Sequence, residues 1–326
     1  MKTNDFTITS DYLLRMFQSP ACAYKNLKTP VFVRHHGRSL KKAKTFSTIA
    51  GYPRIIMLAK DPNLAQEVLE TYPQVEWAKE YYTSGCLINS QKGAWDYCRD
   101  HGFKTCVLLD DDIHDFSMSF YKAHKMYLAS YIYFPYEAKE VYLKILAYSI
   151  RRALRVFKDH PTVGMVGWHH RSFGNSYGHC NTVDINGGYN DFANGYIYNI
   201  EAMDRFGFKL PNEWDSHGDN VGIYCEMLNR GMDLACLSGA NISPSNDGDH
   251  STLRTKEDAV LKTESDWNNC QALTPAIVPG LRRQKTGNHY VKIDWKHMNA
   301  TTGHVHIRER LFDNPDDQLI KPEDIL

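Results

Sequence analysis

Three consecutive aspartates, Asp110, Asp111 and Asp112, end the apolar run Cys106–Leu109. Alternate side chains of an extended chain share a face, so this spacing predicts that Asp110 and Asp112 converge at the strand's carboxyl end. In a parallel sheet that end is where ligands bind. Paired carboxylates are hard oxygen ligands, suited to a Mg²⁺ or Mn²⁺ that still holds substrate phosphate. A solvated acidic turn is the plainer alternative. Three like charges set against a buried strand favour the cation, because that arrangement is costly without one.

A second constellation is cationic. Residues 281–310 hold seven Lys/Arg against two acids, with four histidines, Tyr290 and Trp295. Arg282, Arg283, Lys285, Lys292 and Lys296 form its centre, and residues 34–44 make a smaller basic stretch. Any single Lys there reads best as solvated surface. The cluster as a whole reads as a nucleic-acid footprint, because the whole chain carries 38 Lys+Arg against 38 Asp+Glu and so has no bulk charge.

The elements that must position these groups follow from hydrophobic patterning. Buried strands are expected at Thr29–Arg34, Arg54–Ala59, Cys106–Leu109, Thr162–Gly167, Tyr196–Ile200 and Met232–Ser238. Helices are expected from Leu64 to Tyr72, from Ile88 to Asp100 and near Ala202–Phe206, with another closing at Asn229. The clearest helix runs from Glu137 to Asp159, with Val141, Ile145, Leu146, Ala153, Val156 and Phe157 on one stripe and Ser149 its single polar member. KDPN at 60–63 reads as a turn opening a helix. Strand–helix alternation with short connections implies an α/β fold with a mostly parallel, doubly wound sheet. Residues 1–28 read as a polar leader, and 172–194, rich in Gly, Asn and Tyr, as loops over a site.

Composition excludes several classes. The 326 residues are 42% hydrophobic and 23% charged, ordinary for a globular chain and not for a disordered one. No apolar run is long enough for a membrane-spanning helix, and the N-terminus lacks a signal-peptide core. The eight cysteines form no CxxC pair, so reduced buried thiols are expected. Together these predict a cytoplasmic protein with no membrane partner and no protein partner implied.

The segment 193–231, ANGYIYNIEAMDRFGFKLPNEWDSHGDNVGIYCEMLNRG, resembles the acceptor half of GT-A nucleotide-sugar glycosyltransferases. FVRHHGRS with Thr45, then RIIMLAKDPN, an Asn-containing helix and LLDDDIHDF, narrows the likeness to the TET-associated glycosyltransferases. These are phage and related enzymes that put sugars on hydroxymethylated pyrimidines in DNA. The likeness covers roughly 29–251. It implies a GT-A-like single domain at 29–255, with a nucleotide-sugar half (29–116) and an acceptor half (117–255), followed by a C-terminal extension, 256–326, that holds the basic segment.

The resemblance also implies roles. Arg34, Gly37, Arg38, Asn89, Asp110 and Asp111 would bind a UDP-sugar such as UDP-glucose or UDP-arabinose. Asp110 and Asp112, with His250 as third ligand, would hold Mn²⁺ or Mg²⁺. Asp219 or Asp215 would be the general base, with Asn220 standing where the family has a second acid. Each has a plainer reading: Asp219 as a helix N-cap, Asn89 as a helix-start residue and His250 as a structural histidine. The acceptor implied is 5-hydroxymethylcytosine in double-stranded DNA of a bacteriophage, in an infected host cell, with the base extruded to reach the pocket. Trp168–His170, Tyr177, Tyr189 and Phe192 would stack on that base or belong to the core. The competing readings are a GT-A enzyme acting on a glycan, lipid or protein, and a non-catalytic DNA-binding module.

Overall fold

In the computed structural model the described residues are 15, 17–18, 22–82, 87–122, 125–129, 137–170, 182–187, 195–210, 219–244, 264, 267–268, 271, 279–284 and 290–310. The first half alternates strand and helix. β1 (Val31–His35) leads through α1 (Lys44–Ile49) to β2 (Ile55–Ala59), then α2 (Pro62–Thr71), β3 (Val75–Trp77), α3 (Leu87–Asp100) and β4 (Thr105–Asp110). The KDPN turn opens α2 as its chemistry requires: the Asp61 side chain accepts from the Asn63 N–H at 2.8 Å, and Pro62 takes the first helical position.

β5 (Ile113–Lys122) and β6 (Lys125–Ala129) form a hairpin, followed by α4 (Ala138–Asp159) and β7 (Val163–His170). Then come β8 (Thr182–Ile185), β9 (Gly195–Asn199), α5 (Ile200–Arg205), α6 (Asp219–Asn229) and β10 (Asp233–Pro244). The chain continues through β11 (Leu281–Gln284), β12 (Tyr290–Ile293), α7 (Trp295–Thr302) and β13 (Ile307–Arg310).

The main sheet runs β13-β8-β10-β7-β9-β4-β1-β2-β3, with β5 paired to β10 and β6 to β5. β3, β2, β1 and β4 are parallel, as are β7 and β10. β9 enters antiparallel between β4 and β7. The fold is therefore α/β, with a mixed, largely parallel sheet and helices on both faces.

Strand alternation sorts the core into two layers. Val31, Val33, Met57, Val107 and Leu109 pack with α1 and α4, while Phe32, Ile56, Leu58, Cys106 and Leu108 pack with α3, α5 and α6. Each such side chain contributes about 1.5–3 kcal/mol on burial, so central strands with every residue buried commit the first half to this arrangement. Ser149, the polar member of the α4 stripe, is fully buried. Cys22, Cys98 and Cys106 are buried free thiols, and Cys225 and Cys236 are buried as well. No helix among the described residues is long and apolar enough to cross a membrane.

Three expectations are corrected. β7 and β10 run on to His170 and Pro244, past the predicted ends, and the β5–β6 hairpin lies where no strand was expected. The segment read as a polar leader contributes Phe17 and Cys22 to the core. Lys144 Nζ of α4 donates to the Phe17 carbonyl at 2.7 Å, and Arg151 Nη2 to the Ala23 carbonyl at 2.9 Å. The C-terminal segment is likewise built in: β13 pairs with β8, and Leu281 and Met298 are buried in the α3-side layer.

Candidate functional site

The order β3-β2-β1-β4 places consecutive connections on opposite sides of β1, which opens a crevice at the carboxyl ends of β1 and β4. The aspartates stand there. β4 ends at Asp110 and the chain turns through Asp111 and Asp112, so strand alternation does not reach Asp112. The three carboxylates are gathered by what β1 and its loop bring to them.

Arg34 and Asp110 are register partners across β1 and β4, and the Arg34 guanidinium grips Asp110 Oδ1, with Nε at 2.8 Å. Asp111 lies on the opposite side, nearly fully buried, and accepts from His35 Nδ1 at 3.0 Å, from the His36 backbone N–H at 3.2 Å and from Arg38 Nη1. Because Nδ1 faces a carboxylate, it carries the His35 proton. The His35 ring packs edge-on against Phe46 at 5.5 Å. Gly37, at φ 73°, takes the left-handed turn that brings Arg38 back over Asp111. Arg38 Nη1 also reaches Asp112 Oδ2 at 3.1 Å.

Thr45 at the head of α1 locks the turn. Its hydroxyl donates to the Asp110 carbonyl at 2.6 Å and accepts from the Ile113 N–H at 2.8 Å, while its own N–H donates to the Asp111 carbonyl at 3.1 Å. His36 Nδ1 meets the Tyr82 hydroxyl at 3.0 Å. His35 and His36 fall within FVRHHGRS, which gives them no role of their own, and Tyr82 has no sequence signal at all.

Charge is unbalanced here: three carboxylates face two guanidiniums. Burial, with Asp110 close by, pushes the Asp112 carboxyl up to about 7 against the pull of Arg38. Asp112 Oδ1 is buried without a hydrogen-bond partner. Burial lowers the His36 pKa, with Asp111 opposing and Arg34 and Arg38 adding to the fall. Burial works against the charge of Arg38, and Asp111 and Asp112 outweigh it and raise its pKa. An added cation at Asp110 and Asp112 would satisfy the orphaned oxygen and cancel the excess charge, so these residues fit a divalent metal. No group of three or more His, Cys, Asp or Glu arranged to hold a metal occurs among the described residues.

The other predicted residues are dispersed. Asn89 is half-buried in the first turn of α3. Asp219 opens α6, its side chain undescribed, while Asp215, His250 and Lys285 lie outside the described residues. The two glycine-closed helices of the second half are tied together: Arg230 Nη1 donates to the Gly207 carbonyl and Nε to Glu226 Oε1, each at 2.5 Å. Gly195 starts β9 because a Cβ there would press Ile242, Leu109 and Trp168 at 3.0–3.1 Å. Of the two readings of Trp168 the core one holds: it is fully buried and edge-on to Phe116 at 6.2 Å. Tyr177, Tyr189 and Phe192 fall outside the described residues.

The cationic segment forms an antiparallel ribbon, β11 with β12, in which Arg282 stands directly opposite Lys292 and Arg283 opposite Val291. Leu281, Ile293 and Trp295 anchor the ribbon to the core, and Lys296 is exposed on α7. No family model matches the chain, and no curated protein matches it either.

Proposed function

We propose that this chain is a metal-dependent glycosyltransferase of the TET-associated, GT-A kind. It would move a sugar, glucose or arabinose, from a UDP-sugar to the hydroxymethyl group of 5-hydroxymethylcytosine in phage DNA. The observation that carries the reading is the orphaned, buried Oδ1 of Asp112 in a carboxylate-rich cluster at the sheet's switch point.

Asp110 and Asp112 are the residues to hold Mn²⁺ or Mg²⁺, which when bound offsets the charge of a leaving diphosphate. Arg38, at the rim with its guanidinium shared between two aspartates, suits phosphate oxygens by its fork geometry. His35 and Thr45 hold the turn that aims these groups. Asp219, at the first position of α6, is the base for the acceptor hydroxyl, with Asp215 as the alternative. The Arg282–Lys292 ribbon and Lys296 supply phosphate contacts for DNA, whose target base must leave the stack.

The test is incubation with hydroxymethylcytosine-containing DNA, Mn²⁺ and UDP-glucose or UDP-arabinose, with mass spectrometry of the digested nucleosides. A hexose or pentose added to the modified nucleoside, and absent with Asp112→Ala, is expected. UDP release without a nucleoside shift removes DNA as acceptor, and no UDP release from any donor removes the enzyme.

A further inference from the structure

β5 leaves the aspartate turn directly and pairs with the far half of β10, and this crossing has two unlike faces. Phe116 and Met118, with their register partners Ile242 and Ala240, join the apolar layer under α4. Alternation sends Asp115 and Ser117, with partners Ser243 and Asn241, to the other face. Arg34 and Asp110 follow Phe32 and Leu108 by two residues on their strands, so they share that same face. A row of four small polar residues therefore continues the sheet surface that carries the Arg34–Asp110 pair.

All four are buried, at 6% exposure or less, and the hydroxyls of Ser117 and Ser243 have no hydrogen-bond partner. Buried hydroxyls without partners cost free energy and are rare in native folds unless something supplies the missing bonds. The row is made of one carboxylate, two hydroxyls and one amide, with no Lys or Arg to grip a phosphate. It suits an uncharged group that offers a hydrogen-bond donor to Asp115 and acceptors to the hydroxyls and the Asn241 amide.

We infer that Asp115, Ser117, Asn241 and Ser243 form the shelf that reads the acceptor base, and that Asp115 selects cytosine over uracil. The inference rests on the glycosyltransferase reading above. Cytosine offers its exocyclic amine as a donor, which a carboxylate accepts, whereas uracil has a carbonyl oxygen at that position and would face Asp115 acceptor to acceptor. The remaining edge of cytosine is acceptor-only, matching hydroxyl and amide donors. The amine and the hydroxymethyl group sit on adjacent ring carbons. Asp115 follows Asp112 by three residues, at most about 10 Å of extended chain, so a base held by its amine presents its hydroxymethyl group toward the aspartate turn.

The experiment compares transfer to matched DNA containing hydroxymethylcytosine or hydroxymethyluracil, for the wild type and Asp115→Asn, with acceptor-free UDP release recorded for each protein. The wild type is expected to favour hydroxymethylcytosine by about tenfold or more in kcat/KM. The side-chain amide in Asp115→Asn can turn either its oxygen or its nitrogen to the base, so the two acceptors should come within about threefold of each other. A variant that releases UDP and keeps the wild-type ratio overturns the shelf and leaves the glycosyltransferase reading standing. A wild type that releases UDP and glycosylates neither DNA overturns the DNA acceptor, and the shelf falls with it. If Asp115→Asn does not fold, two other results decide. A wild type that takes both bases equally overturns the inference, as does a Ser117→Ala protein whose KM for acceptor DNA does not rise, where about a two- to tenfold rise is expected.

Discussion

Arg38 Nη1 lies 3.1 Å from Asp112 Oδ2, while the other oxygen of the same carboxylate, Oδ1, is buried and unpaired. One guanidinium is thus divided between Asp111 and Asp112, and Asp112 receives the smaller share. Asp111 has three donors and is a structural anion that holds the loop after β1. Asp112 is the carboxylate left with capacity to bind something else.

The first prediction is a pH dependence of stability. Asp112 has a folded-state pKa of about 7 against an ordinary 3.8. Between those values the folded state binds more protons than the unfolded one, so this group makes stability fall as pH rises from about 4 to 7, with the full penalty above 7. Asp112→Asn removes the penalty. It should stabilise the metal-free protein on the order of 2 kcal/mol or more at pH 8 and by little near pH 4. Urea titrations of both proteins at the two pH values check this, and a pH-independent difference would refute the assignment.

Divalent metal should act on the same group with the opposite pH trend. Mn²⁺ competes with the Asp112 proton, so its stabilisation of the wild type should be larger at pH 8 than at pH 5.5. At a hundred times its dissociation constant it adds about 2.7 kcal/mol. Thermal melts with and without Mn²⁺ measure it. Asp112→Asn should abolish most of the shift, and an equal shift in that variant would place the metal elsewhere.

Thr45 offers a test of the turn itself. Its hydroxyl serves the Asp110 carbonyl and the Ile113 N–H together, so Thr45→Val keeps the shape and orphans both backbone groups. The expected cost is about 1–3 kcal/mol, and the proposed sugar transfer should slow because the aspartates lose their fixed turn. Thr45→Ser retains the hydroxyl and should recover most of both in denaturation and rate assays.

The legible parts of this molecule are those where one segment declares itself. β1, β2 and β4 are built on short apolar runs, α4 carries a stripe with Ser149 its single predicted polar member, and the aspartates begin at the last residue of β4. What could not be read is partnership across the chain. Asp111 meets His35 and Arg38 from more than seventy residues away, and that meeting depends on the register that sets Arg34 beside Asp110. Trp168 looked available for stacking because its strand was expected to end at Gly167. β13, reading Ile-Arg-Glu-Arg, pairs with β8 alone among the described strands and carries the polar pattern of an exposed edge, so composition marked it as tail.

That edge supports the last prediction. Asp184 of β8 is buried at 4% exposure, and its Oδ1 receives Arg308 Nε at 2.6 Å and His306 Nε2 at 3.1 Å from β13. Arg308 is about half exposed, which screens the pair, so Arg308→Ala should cost about 1–2 kcal/mol rather than the full value of a buried ion pair. Much of that cost is the carboxylate left behind, so Asp184→Asn should cost less in the Arg308→Ala background than in the wild type. Denaturant titration of the two single variants and the double variant gives the coupling, expected at about 0.5 kcal/mol or more. Strictly additive losses would mean that β13 is held by its backbone ladder alone.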